Sequence, residues 1–247
     1  YAGSAGGVAE EIVGKAIAGR RGDFIVATKV GMKVGETAED EGTSAAAIRK
    51  HLELSLRRLG VDYIDLYYLH KPDPNTPIFE TLTALNDVIK AGKIRHFGVS
   101  NYSAEQLSNL LSIADANGLP RPVIIQPGMS LLKQDVCEDL LPLCMKEGIA
   151  AAPYQVLQGG LLTGKYRRGR GVPAGSRKAE IDNWVWDLED DLFDKLEAFE
   201  NDADSAGLAI TRYAIKWALN QPAVISPIIG VKREEQVDDA VAAVTPE

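Results

Sequence analysis

Six short apolar runs punctuate the chain: FIVATKV (24–30), YIDLYYLH (63–70), IRHFGVS (94–100), PVIIQPG (122–128), IAAAPYQ (149–155) and AVISPIIG (223–230). Most are almost continuously apolar rather than alternating, which suits parallel strands buried on both faces. Between them, apolar residues recur at helical spacing. Ile48, Leu52, Leu56 and Leu59 share one face, with Thr43 or Ser44 as the cap and Gly60 as the stop. Thr76 and Pro77 start a second helix with Ile78, Leu82, Leu85 and Ile89 inward, ending at Gly92. Ser103 and Gln106 form a capping box ahead of Leu107, Leu110 and Ala114. Asp135 and Glu138 do a similar job ahead of Leu141 and Cys144, and a further helix begins near Val8.

The first five strands start at 24, 63, 94, 122 and 149, at steps of about 30 residues, as strand–helix units require. After Gln155 the rhythm breaks. Residues 156–190 carry GG, GRG and PAG signals and read as one long loop, a length usually reserved for lids and binding loops. Helices at about 190–206 and 211–220 precede the last apolar run, and a short one at about 233–243 follows it. Six strands of βα type fit a doubly wound sheet, or a closed (β/α)8 barrel lacking two strands. No GxGxxG follows any strand, so the Rossmann fingerprint is absent.

Composition narrows the function classes. The chain has 247 residues, 45% apolar and 25% charged, which is ordinary for a globular protein. A net charge of -8 argues against nucleic acid as the main partner. No run reaches the roughly 20 apolar residues of a membrane span, and no signal peptide is visible, so the expectation is a cytoplasmic protein with no membrane partner. Cys137 and Cys144 lie in one predicted helix, about 10 Å apart along its axis, too far for a disulfide within it. They read as two free thiols in a reducing compartment.

The candidate chemistry sits at the strand ends. FIVAT runs into Lys29, YIDLYYL into His70, HFGV into Ser100-Asn101, VII into Gln126, and AAAP into Tyr154-Gln155. A strand-end lysine is usually just solvated, a lone strand-end histidine is more often structural than catalytic, and Ser-Asn is a common turn pair. Polar residues at all five ends point instead to a site ringed by strand tips. GGLLTGKY (159–166) matches GxxxxGK, but Tyr166 stands where a P-loop needs Ser or Thr, and RRGRGVPAG follows instead of a helix. This basic, glycine-rich stretch is either solvated or lies along the phosphate of another ligand.

YIDLYYLHKPDP, KAGKIRHFGVSNYSAEQL, GIAAAPYQVLQGGLLTGKY and SPIIGVKREEQVDDA together resemble the aldo-keto reductase superfamily, in order and over essentially the whole chain. The resemblance implies one (β/α)8 barrel domain over 1–247 and an NADPH-dependent carbonyl reductase, reversible as an alcohol dehydrogenase, with a small carbonyl or alcohol as substrate. YAGSAGGVAEE is similar to the tyrosine half of the family's segment after its second strand. Tyr1 then matches the catalytic tyrosine, Lys29 the catalytic lysine and His70 the catalytic histidine. The family's aspartate and two strands would precede Tyr1, and a further C-terminal helix and loop would follow Glu247.

The same resemblance places Ser100, Asn101 and Gln126 on the nicotinamide carboxamide and Tyr154 on its ring. It lays Gln155, Val156, Leu157, Gly159, Leu161, Gly164 and Lys165 in the loop over the pyrophosphate. Gly230, Lys232, Gln236 and Asp239 fall at the adenosine end, where Lys232 would meet a 2′-phosphate and favour NADPH over NADH. The sequence departs from the family pattern at Ala2, Gln155, Pro127–Met129 and Ala240, none of which is a reacting group. An alternative is a non-catalytic, NADPH-binding regulatory subunit of the same fold. The oligomeric state is left open.

Overall fold

The computed structural model describes residues 6–37, 40–181 and 185–245. They fall into two compact units, Tyr1–Gln126 and Pro127–Glu247.

The first unit alternates helix and strand: α1 (Val8–Ile17), β1 (Ala27–Val30), α2 (Ala45–Leu59), β2 (Ile64–Leu69), α3 (Ile78–Lys90), β3 (Ile94–Ser100), α4 (Ala104–Ala116) and β4 (Ile124–Gln126). The four strands pair in sequence order and all in parallel, as helical crossovers on a buried sheet require. β2 is the most enclosed, with Ile64, Tyr67 and Leu69 fully buried. Ile48, Leu52, Leu82, Leu85, Leu107 and Leu110 supply the helical side of the core. Each such side chain stabilises the fold by about 1.5–3 kcal/mol relative to exposure.

Side-chain caps set the starts of α2 and α4. Ser44, rather than Thr43, caps α2, accepting from Ala47 N, and Gly60 ends it in the left-handed region at φ 63°. Ser103 and Gln106 form the reciprocal capping box of α4. At α3 the expectation fails. Pro77 holds the cap position with no side-chain bond, because the Thr76 hydroxyl donates to Asp73 Oδ2 at 2.7 Å instead.

The first strand is also shorter than its apolar run. Phe24 is 39% and Ile25 84% exposed, and regular pairing begins only at Ala27. Just before it, Asp65 accepts from Val26 N at 2.8 Å and from Arg21 at 2.6 Å, so a side-chain anchor takes the place of a ladder bond.

The second unit holds α5 (Leu140–Glu147), β5 (Ala150–Ala151), α6 (Arg177–Glu180), α7 (Asp190–Ser205), α8 (Ile210–Leu219) and α9 (Glu234–Ala242). The helix expected from Asp135 starts later. Asp135–Cys137 form a 3-10 turn, and Asp139 precedes α5 without a side-chain cap bond. Cys137 and Cys144 therefore do not share a helix, although both are free thiols.

The last apolar run makes only an isolated parallel bridge, Ala151↔Val224. Ala223 at φ 63° and the prolines at 222 and 227 interrupt a regular strand there, and Ile225 is 64% exposed. The core of this unit instead gathers α7 and α8 around Leu161, Leu162 and Tyr166. Among the described residues no helix is long and apolar enough to cross a membrane.

Candidate active site

Parallel register builds the polar cluster of the first unit. Lys29 pairs with Tyr68, Tyr68 with Gly98, and Gly98 with Ile124, so these residues share one level of the sheet. The Tyr68 ring crosses the space that a side chain at Gly98 would fill. A Cβ there would lie 2.7 Å from Tyr68 Cε1 and 2.9 Å from the Ile124 carbonyl oxygen. Gly98 is thus required by close approach. The Lys29 ammonium sits 5.5 Å from the centroid of the same ring, within reach of a cation–π contact. Tyr68 was not among the residues singled out from sequence. Only the inward turn of an aromatic beside a strand glycine could have flagged it.

Burial pushes the Tyr68 phenol up to about 12, and a hydrogen bond with the Gln126 side chain opposes that only in part. Tyr68 therefore stays a neutral phenol near pH 7. Lys29 is half-buried, and desolvation lowers its pKa. His70 follows β2 directly, its amide donating to Val30 O at 2.8 Å. Burial lowers the His70 pKa first, and the charges of Lys29 and Lys71 lower it further. The imidazole is thereby held neutral, a hydrogen-bonding group that carries no charge of its own.

Ser100 and Gln126 are register partners, both buried. The Ser100 hydroxyl donates to Gln126 O at 2.7 Å. Asn101 takes a left-handed backbone at φ 62°, and its amide donates to His70 O at 2.8 Å and to Ser100 Oγ at 3.2 Å. A non-glycine residue in this region marks local strain held by its surroundings. Lys29, His70, Ser100, Asn101 and Gln126 are thus brought together in this unit. Tyr1 lies outside the described residues.

In the second unit, Tyr154 is held by backbone bonds to Pro127 and Met129, and its ring lies against Gly128. Gln155 is left-handed at φ 59° and Gln158 at φ 45°. Gln158–Thr163 then form a 3-10 turn that Gly159 and Gly160 distort. A loop follows it rather than a helix, unlike a P-loop. Val156 and Leu161 are core side chains, so only their backbone could meet a ligand, whereas Leu157 is half-buried. Lys165 is exposed, and its ammonium lies over Gly160, where a Cβ would come within 2.5 Å. A glycine-rich turn with a lysine over it suits a phosphate-bearing ligand.

Gly230, Lys232 and Asp239 are exposed. Lys232 N donates to Gln236 Oε1 at 2.7 Å, and Asp239 pairs with Arg212 at 3.0 Å. Among the described residues no group of three or more His, Cys, Asp or Glu could hold a metal ion.

Residues 3–246 match the aldo/keto reductase family. The chain belongs to that family. Its fold is the (β/α)8 barrel, which accounts for the parallel strand–helix order, and its members are oxidoreductases that use nicotinamide cofactors. The chain is 36% identical to a protein named probable voltage-gated potassium channel subunit beta from Arabidopsis thaliana, over 97% of this chain and 75% of that one. It is 31% identical to L-glyceraldehyde 3-phosphate reductase of Escherichia coli (strain K12), over 96% and 70%. It is 35% identical to the NADH-specific methylglyoxal reductase of the same strain, over 96% and 74%.

Proposed function

We propose that the protein is an NADPH-dependent reductase of small aldehydes or ketones, with Tyr1, Lys29 and His70 as its reacting groups. The observation that carries the reading is the closeness of a half-buried Lys29 on β1 to His70 just past β2, near enough for the lysine charge to help keep the imidazole neutral. When bound, the nicotinamide supplies the hydride. The residues of the chain must then orient the carbonyl and deliver a proton to its oxygen. His70 donates a hydrogen bond to that oxygen without adding charge to it. Tyr1 is the proton donor. A tyrosine phenol with a pKa of about 10 needs its anion stabilised, and a nearby lysine ammonium does this.

Ser100, Asn101 and Gln126 offer the amide and hydroxyl groups for a carboxamide, and Tyr154 offers a ring face. In the second unit, Gln155 to Lys165 suit a pyrophosphate, and Gly230, Lys232, Gln236 and Asp239 suit an adenosine. The preference for NADPH over NADH rests on Lys232. The similarity to proteins named as channel beta subunits supports a second reading, a cofactor-binding regulatory subunit.

Oxidation of NADPH by a panel of aldehydes, followed by absorbance, separates the two. Lys29→Met and His70→Gln should each lower kcat by about 10²–10⁴, the usual contribution of such groups. Turnover that survives both substitutions, or none with any aldehyde in the unmodified protein, sinks the catalytic reading.

A further inference from the structure

Lys232 is already engaged. Its ammonium lies 2.5 Å from Glu180 Oε1 and 3.4 Å from the Gly175 carbonyl oxygen. Arg177 approaches the same carboxylate at 3.8 Å. Lys165 is close enough to help hold the Glu180 carboxyl below its usual range, after the hydrogen bond and charge of Lys232 and the charge of Arg177. Three cations, two of them predicted phosphate contacts, thus surround one carboxylate.

The segment that presents Glu180 is anchored. Ser176 is 3% exposed and caps α6 through Ala179 N at 3.3 Å. The Lys178 amide donates to the hydroxyl of Tyr166, a core residue, at 3.4 Å. The Lys178 ammonium, on a side chain only 9% exposed, pairs with Asp187 at 2.9 Å and reaches Val185 O at 3.3 Å. The segment that bears Glu180 is therefore anchored independently of the contact with Lys232.

We propose that Glu180 is a specificity-determining residue that competes with the cofactor's 2′-phosphate for Lys232 and so narrows the discrimination between NADPH and NADH. The proposal rests on the reading of residues 230–239 as the adenosine end. A 2′-phosphate must either displace the carboxylate or share the ammonium with it, at a cost in repulsion between like charges. A cofactor with a bare 2′-hydroxyl meets no such competitor. Lys232 is therefore a weaker selector for NADPH than its position alone implies, and Glu180 is the reason.

The test needs no turnover. Calorimetric titration with adenosine 2′,5′-bisphosphate and with AMP compares the unmodified protein with Glu180→Gln, Lys232→Met and the double variant. Exposed ion pairs shift equilibria modestly, so Glu180→Gln should tighten the bisphosphate by about two- to fivefold and leave AMP unchanged. The gain should vanish when Lys232 is methionine. Equal tightening of both nucleotides, weaker bisphosphate binding, or no change in Glu180→Gln overturns the proposal while the adenosine site stands. If the unmodified protein binds neither nucleotide, the reading of residues 230–239 fails and takes the proposal with it.

Discussion

The anchoring carboxylates of the first unit and the exposed carboxylate clusters of the second do different work. In the first, the Asp65 side chain is only 10% exposed, accepts from Val26 N and Arg21, and forms an ion pair with Arg95 at 3.2 Å. Asp73 accepts from Thr43 N, Asn75 N and the Thr76 hydroxyl, which ties the chain ahead of α2 to the turn ahead of α3. In the second unit, Arg168 gathers Asp190, Asp194 and Glu197, which are 86%, 71% and 51% exposed, and Lys232 meets a half-exposed Glu180. The same charges build a scaffold where water is excluded and adjustable contacts where it is not. Desolvation makes a broken buried pair costly, whereas screening makes an exposed pair cheap to open. A binding loop needs the second kind.

The largest expected effect is at Asp65. Asp65→Ala leaves Val26 N without its acceptor and a mostly buried Arg21 without its counter-charge, with only the Phe24 and Tyr63 carbonyls to accept from it and its Nε already without a hydrogen-bond partner. Chemical denaturation should show a loss of about 3–5 kcal/mol, the cost of breaking a buried pair. A loss no larger than that of an exposed pair would break the contrast.

Asp73→Ala should cost less, about 1–3 kcal/mol, for donors left unsatisfied. Burial alone would raise the Asp73 carboxyl, but the hydrogen bonds from Thr43, Thr76 and Asn75 outweigh it and hold the pKa low. The folded state then binds fewer protons here than the unfolded chain. Its contribution is present above the unfolded pKa of about 3.9 and is lost as pH falls through the folded value. Asp73→Asn should flatten that acid-side loss, and denaturation midpoints between pH 5 and 2 measure it.

The smallest effect is at Arg168. Arg168→Ala should leave the melting midpoint nearly unchanged yet speed proteolytic cutting near 167–176, because the clamp orders a loop rather than a core. A fall in midpoint as large as that of Asp65→Ala would erase the difference between the units.

Much of this was legible in the residues themselves. The capping box of α4, the Gly60 stop of α2 and the apolar face of α2 depend on neighbours within four positions, and local chemistry settles them. Among the described residues, five of the six strands expected from the apolar runs are present, but their extent was not legible. β1 lost Phe24 and Ile25, and the run 223–230 kept only one bridge, because pairing depends on a partner's register and on where a proline or a left-handed residue falls. Lys29 and His70 were visible as polar ends of apolar runs. Tyr68 was not, since its role arises from Gly98 on the next strand.

By itself, the sequence determined the order of strands and helices, the caps of α2 and α4 and the chemical types at the strand tips, all of which follow from spacing and side-chain geometry. Only the tertiary structure decided that His70 is held neutral by burial and by the charges of Lys29 and Lys71, and that Asp65 and Asp73 are the anchors. It alone paired Lys232 with Glu180, 52 residues away. Electrostatics and desolvation act through space, and no local pattern in the chain records who a charge will meet.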